Sequence, residues 1–308
     1  IRTQFHNQRI KFFLPLVGLL LLCFGFSGCD KEESIPAYIH IPKIILNTNA
    51  NGSEGSNAHD ILDAWVYINN KLIGAFELPA TIPILSIGKQ QLTIVAGVKN
   101  NGFTAQRIRY PFYKAYDTDI ELVPANVDTV VPVFSYYESL SFQWLEDFED
   151  QTISMKKSGS GTNVDTMSIT GLSNDVYAYD GVDNSYSGKV VLGQGFQKFE
   201  NSTIANFDLP RKGQEIYLEV NFKCNTEFVV GIYPINASIV TGAPIVNLFS
   251  TVDEEGILQW KKAYISLKED VNNPEYTGAD FRVFFNVQTN TTSGTPLVFF
   301  DNIKLVHF

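Results

Sequence analysis

Acidic residues crowd one short stretch of the chain. Glu146, Asp147, Glu149 and Asp150 fall in LEDFED, and Asp301 stands in FFDN near the other end. Carboxylates grouped in this way could hold a hard cation, since calcium takes about six to eight oxygens. The plainer alternative is a solvated acidic edge, with Asp301 capping a turn. Tyr177 and Tyr179 in VYAYDG are two apart and would share one face of a strand, with Tyr186 following in a loop. Such rings could stack on sugars, or simply cover the edge of a sheet. Glu215 and Glu219 in EIYLEV also alternate onto one face. At ~3.3 Å per residue they stand about 13 Å apart, wider than the ~5–9.5 Å of paired glycosidase carboxylates. Carboxylates from different strands could still meet, which leaves a degradative glycosidase as a third reading.

Other chemistries lack parts. The four histidines are His6, His40, His59 and His307. A Ser–His pair in the second half would depend on His307, close to the last residue, where chains fray. SGSGT (158–162) lacks the GxSxG arrangement, and GQGFQK lacks the third glycine of a dinucleotide loop. Nothing here argues for an enzyme. Of the three cysteines, Cys23 and Cys29 lie at the start, which leaves Cys224 in NFKCNTEF as a buried, inert thiol on a strand. One thiol builds neither a disulfide framework nor a CxxC metal site.

The charge balance excludes further classes. Net charge is −10. The first 28 residues hold Arg2, Arg9 and Lys11 and no acid, so 23 less three basic residues face 33 acidic ones beyond them, a net of −13. An acidic surface repels phosphate backbones, which argues against nucleic acid.

Residues 1–28 have the layout of a signal peptide. The basic start is followed by an apolar run, Phe12 to Phe26, and then by Ser27-Gly28-Cys29. The run is too short and too sharply ended for a stable membrane span. The first residue is Ile, so the start codon is expected to lie slightly upstream or to have been read differently. Phe-Ser-Gly-Cys resembles the lipobox of bacterial lipoproteins, with Phe26 where leucine is usual. That resemblance implies cleavage before Cys29 and acyl chains on its thiol, each buried methylene adding ~0.8 kcal/mol of membrane affinity. Asp30-Lys31-Glu32-Glu33 is similar to the surface-export signal of Bacteroidota lipoproteins, and residues 29–36 read as an acidic tether.

The elements that would position these residues are strands. Aromatics make up 13% of the chain and charged residues 18%, which favours β structure with a sizeable core. AYIHI, AWVYI, KLIGAF, QLTIVAG and TVVPVF give a first domain over 37–135, with Asn69-Asn70 as a hairpin tip and Gly88 at a turn. NTNANGSEGSN (47–57) reads as a mobile polar loop. The pattern VYINNKLIGAFELPATIPILSIGKQQLTIV resembles small PEGA-like or immunoglobulin-like β-sandwich modules, which implies a spacer or assembly platform.

The second domain, 137–308, offers SLSFQWL, KVVLG, EIYLEVNF, FVVGIY, LQWKKAYISL, FRVFFNVQ and LVFFDNIKLV, with Trp144 and Trp260 as core residues. No segment keeps a helical period beyond a short turn. The spacing predicts two stacked antiparallel sheets. LEDFED, SYSGKVVL, EIYLEVNFK, WKKAYISL and FFDNIKLV, in that order, resemble jelly-roll carbohydrate-binding modules. That resemblance brings the opening and closing strands together and implies one structural calcium, with Glu149 and Asp301 as best-matched ligands beside Asp147 and Asp150. Asp128-Thr129-Val130 and Asp165-Thr166-Met167 resemble the short O-glycosylation site of Bacteroidota exported proteins. The expectation is an all-β, non-catalytic surface lipoprotein of the outer membrane, binding glycan or a protein partner, with Tyr177, Tyr179 and Tyr186 as candidate ligand contacts. The competing expectation is a structural subunit of an outer-membrane secretion, uptake or gliding complex.

Overall fold

The computed structural model describes residues 34–49, 51–158, 164–178, 184–193, 197–235, 241–288 and 294–308. They fold into two β-sandwiches. The helical elements among them are one α-turn, α1 (Lys268–Val271), and a 3-10 turn at Pro274–Tyr276.

The smaller sandwich contains β1 (Ala37–Ile41), β2 (Ile45–Asn47), β3 (Asp63–Ile68), β4 (Lys71–Glu77), β5 (Ala80–Ile84), β6 (Gly88–Lys99), β7 (Arg107–Arg109), β8 (Tyr116–Leu122), β9 (Val127–Thr129) and β10 (Val133–Ser135). One sheet runs β4-β3-β6, with β7 and β8 pairing to opposite ends of the long β6; a second runs β5-β1-β9. Alternation decides which side chains turn inward. Ala64, Val66 and Ile68 of β3 face the core with Leu92, Ile94, Ala96 and Val98 of β6. Asn69 and Asn70 adopt φ of 48° and 64°, the left-handed pair that a two-residue hairpin requires. TVVPVF does not form one strand. Pro132 has no N–H to give a ladder, and the run splits into β9, parallel to β1, and β10, parallel to β2.

The larger sandwich contains β11 (Ser141–Glu146), β12 (Met155–Lys157), β13 (Val164–Asp165), β14 (Ser168–Thr170), β15 (Ser187–Val191), β16 (Lys198–Thr203), β17 (Ile216–Cys224), β18 (Phe228–Ile235), β19 (Ala243–Leu248), β20 (Lys261–Ser266), β21 (Asp280–Gln288) and β22 (Leu297–His307). Its front sheet has the order β14-β15-β22-β17-β20, with β11 also on β22; its back sheet has β12-β16-β21-β18-β19, with β13 on β16. From β15 to β22 the chain passes repeatedly from one sheet to the other, which is a jelly roll. The two inner faces meet through aromatic and aliphatic side chains, with the rings of Phe285 and Phe300 4.8 Å apart.

The central strands of the front sheet are buried on both faces. In β17, Ile216, Leu218, Val220, Phe222 and Cys224 enter the jelly-roll core, yet the alternate residues Tyr217, Glu219, Asn221 and Lys223 are buried too. The smaller sandwich covers part of their face. Tyr217, Tyr264 and Val306 belong to its core cluster, and Asn101 N–H donates to the Tyr264 carbonyl at 2.8 Å. At this seam Glu219 accepts hydrogen bonds from Tyr110 (2.7 Å) and Tyr136 (2.9 Å) and pairs with Lys262 at 2.6 Å. Lys262 also donates to the Ala58 carbonyl, and Lys304 donates to the Ser56 carbonyl and Tyr136. The described residues of the 47–57 loop bond to one another, and the end of the loop meets the front sheet. His307 does not fray. It lies buried in β22, opposite Ser141 and Ile216.

Candidate ligand-binding groove

The acids singled out in the sequence divide into three kinds. Asp147 and Asp150 cap a tight turn, accepting from Glu149 N–H and Thr152 N–H. Glu146 is buried beneath that turn. Its carboxylate accepts from Ser154 and Phe148 N–H, while burial raises its pKa. Glu149 and Asp301 converge on one segment. Glu149 Oε1 accepts from the Ser185 and Tyr186 N–H groups at 2.8 and 2.9 Å, while Asp301 accepts from Ser187 Oγ and from Asn184 Nδ2. Asp301 is buried with no cationic partner among the described residues. Burial, with a smaller contribution from the charge of Glu149, pushes its pKa up to about 7. No group of three or more His, Cys, Asp and Glu side chains able to hold a metal occurs among the described residues.

The strand face expected for the tyrosines is not formed at Tyr177. Tyr177 is not on a strand and is only 6% exposed, its ring edge-on to Trp260 at 5.2 Å. A ring packed in this way offers no face to a ligand. Tyr186 is half-buried against the jelly-roll core, and Tyr179 lies outside the described residues, as does Cys29. Trp144 is core, with its indole N–H on Ser154, but Trp260 is only half-buried beside Lys223. Cys224 is buried, which pushes its thiol up to about 11, an unreactive value at neutral pH. Glu215 pairs with Lys268, while Glu219 is sealed in the seam, so the two carboxylates share no site. Thr129 and Thr166 are exposed.

The back sheet carries what the sequence reading missed. Its outer face holds an open groove of about 650 Å³. Alternation and register build it in rows. Lys156, Ser202, Phe284, Gly231 and Pro244 lie side by side across five strands, and Glu200, Asn286 and Val229 make the next row. Tyr233 stands opposite Arg282 in the row on the other side of Phe284. Gly231 has a reason to be glycine: a Cβ there would lie 2.4 Å from the Phe284 ring and from the Ala243 carbonyl. Gly242 would likewise crowd Tyr233 at 2.8 Å. With no side chain at these positions, the buried Phe284 ring packs 4.7 Å from the half-buried Tyr233 ring, and Tyr233 presents the aromatic surface of the groove.

Glu200 is the polar centre of the groove. Its carboxylate accepts from Tyr233 Oη (2.5 Å) and Asn286 Nδ2 (2.6 Å) and pairs with Lys198 Nζ at 2.7 Å. Burial alone would raise its pKa, but the bonds from Lys198, Tyr233 and Asn286 outweigh that and hold it below the usual range. Burial and the Glu200 carboxylate together push Tyr233 far above its ordinary value, so it remains a hydroxyl donor. The result is a preorganised set of donors and acceptors beside an aromatic surface, mounted on hydrogen-bonded strands. The signal was available in FRVFFNV and KFENST, where Arg282, Phe284, Asn286 and Lys198, Glu200, Ser202 alternate. It went unread because one strand at a time does not reveal which face is open.

No protein-family model matches this chain, and no curated protein matches it in sequence. It is similar in structure to a carbohydrate-binding module of the β-sandwich superfamily, at 14% identity over 79% of this chain and 84% of the other, with a TM-score of 0.32. A family 61 carbohydrate-binding module in complex with β-1,4-galactotriose is 15% identical over 52% of this chain and 92% of its own, with a TM-score of 0.32. The K3 cleaved adhesin domain of Lys-gingipain from Porphyromonas gingivalis is 16% identical over 55% of this chain and 99% of its own, with a TM-score of 0.34. Likenesses this weak assign no ligand to the groove.

Proposed function

We propose that this chain is a non-catalytic lipoprotein, lipid-anchored through Cys29 and displayed at the outer-membrane surface, whose jelly roll binds glycan in the back-sheet groove. The groove itself carries the reading. Sugars need apolar faces for their C–H surfaces and fixed hydrogen-bond partners for their hydroxyls. Tyr233, half-buried over the buried Phe284, meets the first need, and the half-buried Asn286 and Lys198 the second. A glycan array probed with the jelly roll attached to its smaller sandwich tests this reading. Binding lost in Tyr233→Ala is the expected outcome, and silence on every glycan would remove it.

The anchoring part draws support from the end of the smaller sandwich where the chain enters. Ala125 N–H donates to the Pro36 carbonyl, and Ala37 pairs with Ile84. Around that entry Ile35, Leu85, Ile87, Val123 and Val127 are exposed. An apolar tip beside a lipidated cysteine would rest on a membrane, with the groove on the far sandwich. Detergent-dependent extraction and an acylated Cys29 by mass spectrometry are the expected results; an unmodified thiol would end the proposal. Calcium at the Glu149–Asp301 edge belongs to the same reading, as a structural ion. Its support is the buried Asp301 without a cationic partner and the Glu149 Oε2 atom left without one among the described residues.

A further inference from the structure

The groove is charged against the character of the chain. Acids outnumber bases 33 to 23 overall, yet among the described residues lining the groove Lys156, Lys157, Lys198 and Arg282 face a single acid, Glu200. Glu200 is already matched by Lys198 at 2.7 Å. Lys156, Lys157 and Arg282 have no carboxylate within 4.0 Å among the described residues. Arg282 is held in place by its own Nε, which donates to Asn206 Oδ1 at 2.6 Å, so both Nη groups stay available. Lys156 stands in the same row as Phe284, two strands away, with Ser202 between them.

We propose that the groove's ligand is an anionic saccharide, bearing carboxylate or sulfate groups. The inference rests on the glycan reading and adds the charge class. A neutral sugar would leave three cations of this groove unanswered, whereas an acidic one brings the missing partners. A guanidinium fixed through Nε suits a carboxylate or sulfate, because its remaining donors form a planar fork that matches two oxygens. The lysines, which are compact point charges, would contribute attraction and on-rate. The half-buried Tyr233 ring favours a saccharide over a bare anion, because its accessible surface needs an apolar counterpart.

Calorimetric titration of the protein with three oligosaccharides of equal length provides the test: a galacturonate, a sulfated galactose oligomer and the neutral galactose oligomer. Inorganic sulfate serves as a fourth ligand. At least one charged oligomer should bind tenfold or more tightly than the neutral one, about 1.4 kcal/mol. That gap should shrink as salt is raised and the exposed pairs are screened, and it should collapse in Lys156→Ala/Arg282→Ala. An unchanged melting temperature shows that this double variant is folded. Neutral binding equal to or tighter than charged overturns the inference and leaves the glycan reading standing. Binding of sulfate alone as tightly as the charged oligomers also overturns it, and no oligosaccharide binding at all removes both.

Discussion

Single buried charges set the chemistry of this molecule. Glu219, Lys262 and Lys304 come from three different strands, and each is buried in the seam. Burial raises Glu219, but Lys262 and Lys304 outweigh it and hold the carboxylate low; burial and then the charge of Lys262 bring Lys304 down to about 7. Deleting one member strands the others in a dry site, so Glu219→Ala should cost about 3–5 kcal/mol in urea unfolding. A loss below ~1 kcal/mol would mean that water reaches the seam. His59 gives a pH prediction. Burial, then the charge of Lys262, lowers it from 6.5 to about 4. The unfolded chain therefore binds the proton first, and the stability due to neutral His59 is complete above pH 6.5 and is lost as pH falls towards 4. Over that window wild type should lose more stability than His59→Gln, by ~2–3 kcal/mol at most; parallel profiles would exclude the effect. At the opposite edge, calcium should raise the melting temperature and Asp301→Asn should abolish the rise. An identical melt in chelator removes the ion.

Elements do what residues cannot: they choose a face. The back sheet sets Phe284 over Gly231 because register, not proximity in sequence, brings β18 and β21 together. Gly231→Ala should displace that ring, costing about 1–3 kcal/mol of stability as overpacking and weakening ligand binding, both readable in one calorimetric titration and melt. Glycan affinity equal to wild type would show that this ring packing takes no part in binding. Strand existence was legible from the sequence, as was the Asn69-Asn70 hairpin, because period-two alternation and left-handed asparagines are local properties. The place of Tyr177 was not legible, since it lies off the strands with its ring packed on Trp260, a partner 83 residues away.

Across the whole molecule, the smaller sandwich is a structural half of the larger one. It covers part of the outer face of the front sheet, with Tyr110, Tyr113 and Tyr136 against Tyr217, Tyr264 and Val306. Removing it would expose those rings, at ~25 cal/mol per Å² of apolar surface, along with the Glu219 cluster. The protein should therefore melt in one calorimetric transition, and the isolated jelly roll should melt lower and aggregate. Two separated transitions would show the lobes to be independent. The same cover leaves the back sheet as the face on which the groove lies.

From the order of residues alone came the all-β class, the two strand-rich halves and the inert Cys224, because alternation, composition and turn chemistry act within a few residues. Which carboxylate is sealed, which aromatic faces the groove and which is filler, and where the cations gather were decided only when distant strands aligned. Those outcomes depend on which of two sheet faces another part of the chain covers, and no window along one strand carries that choice.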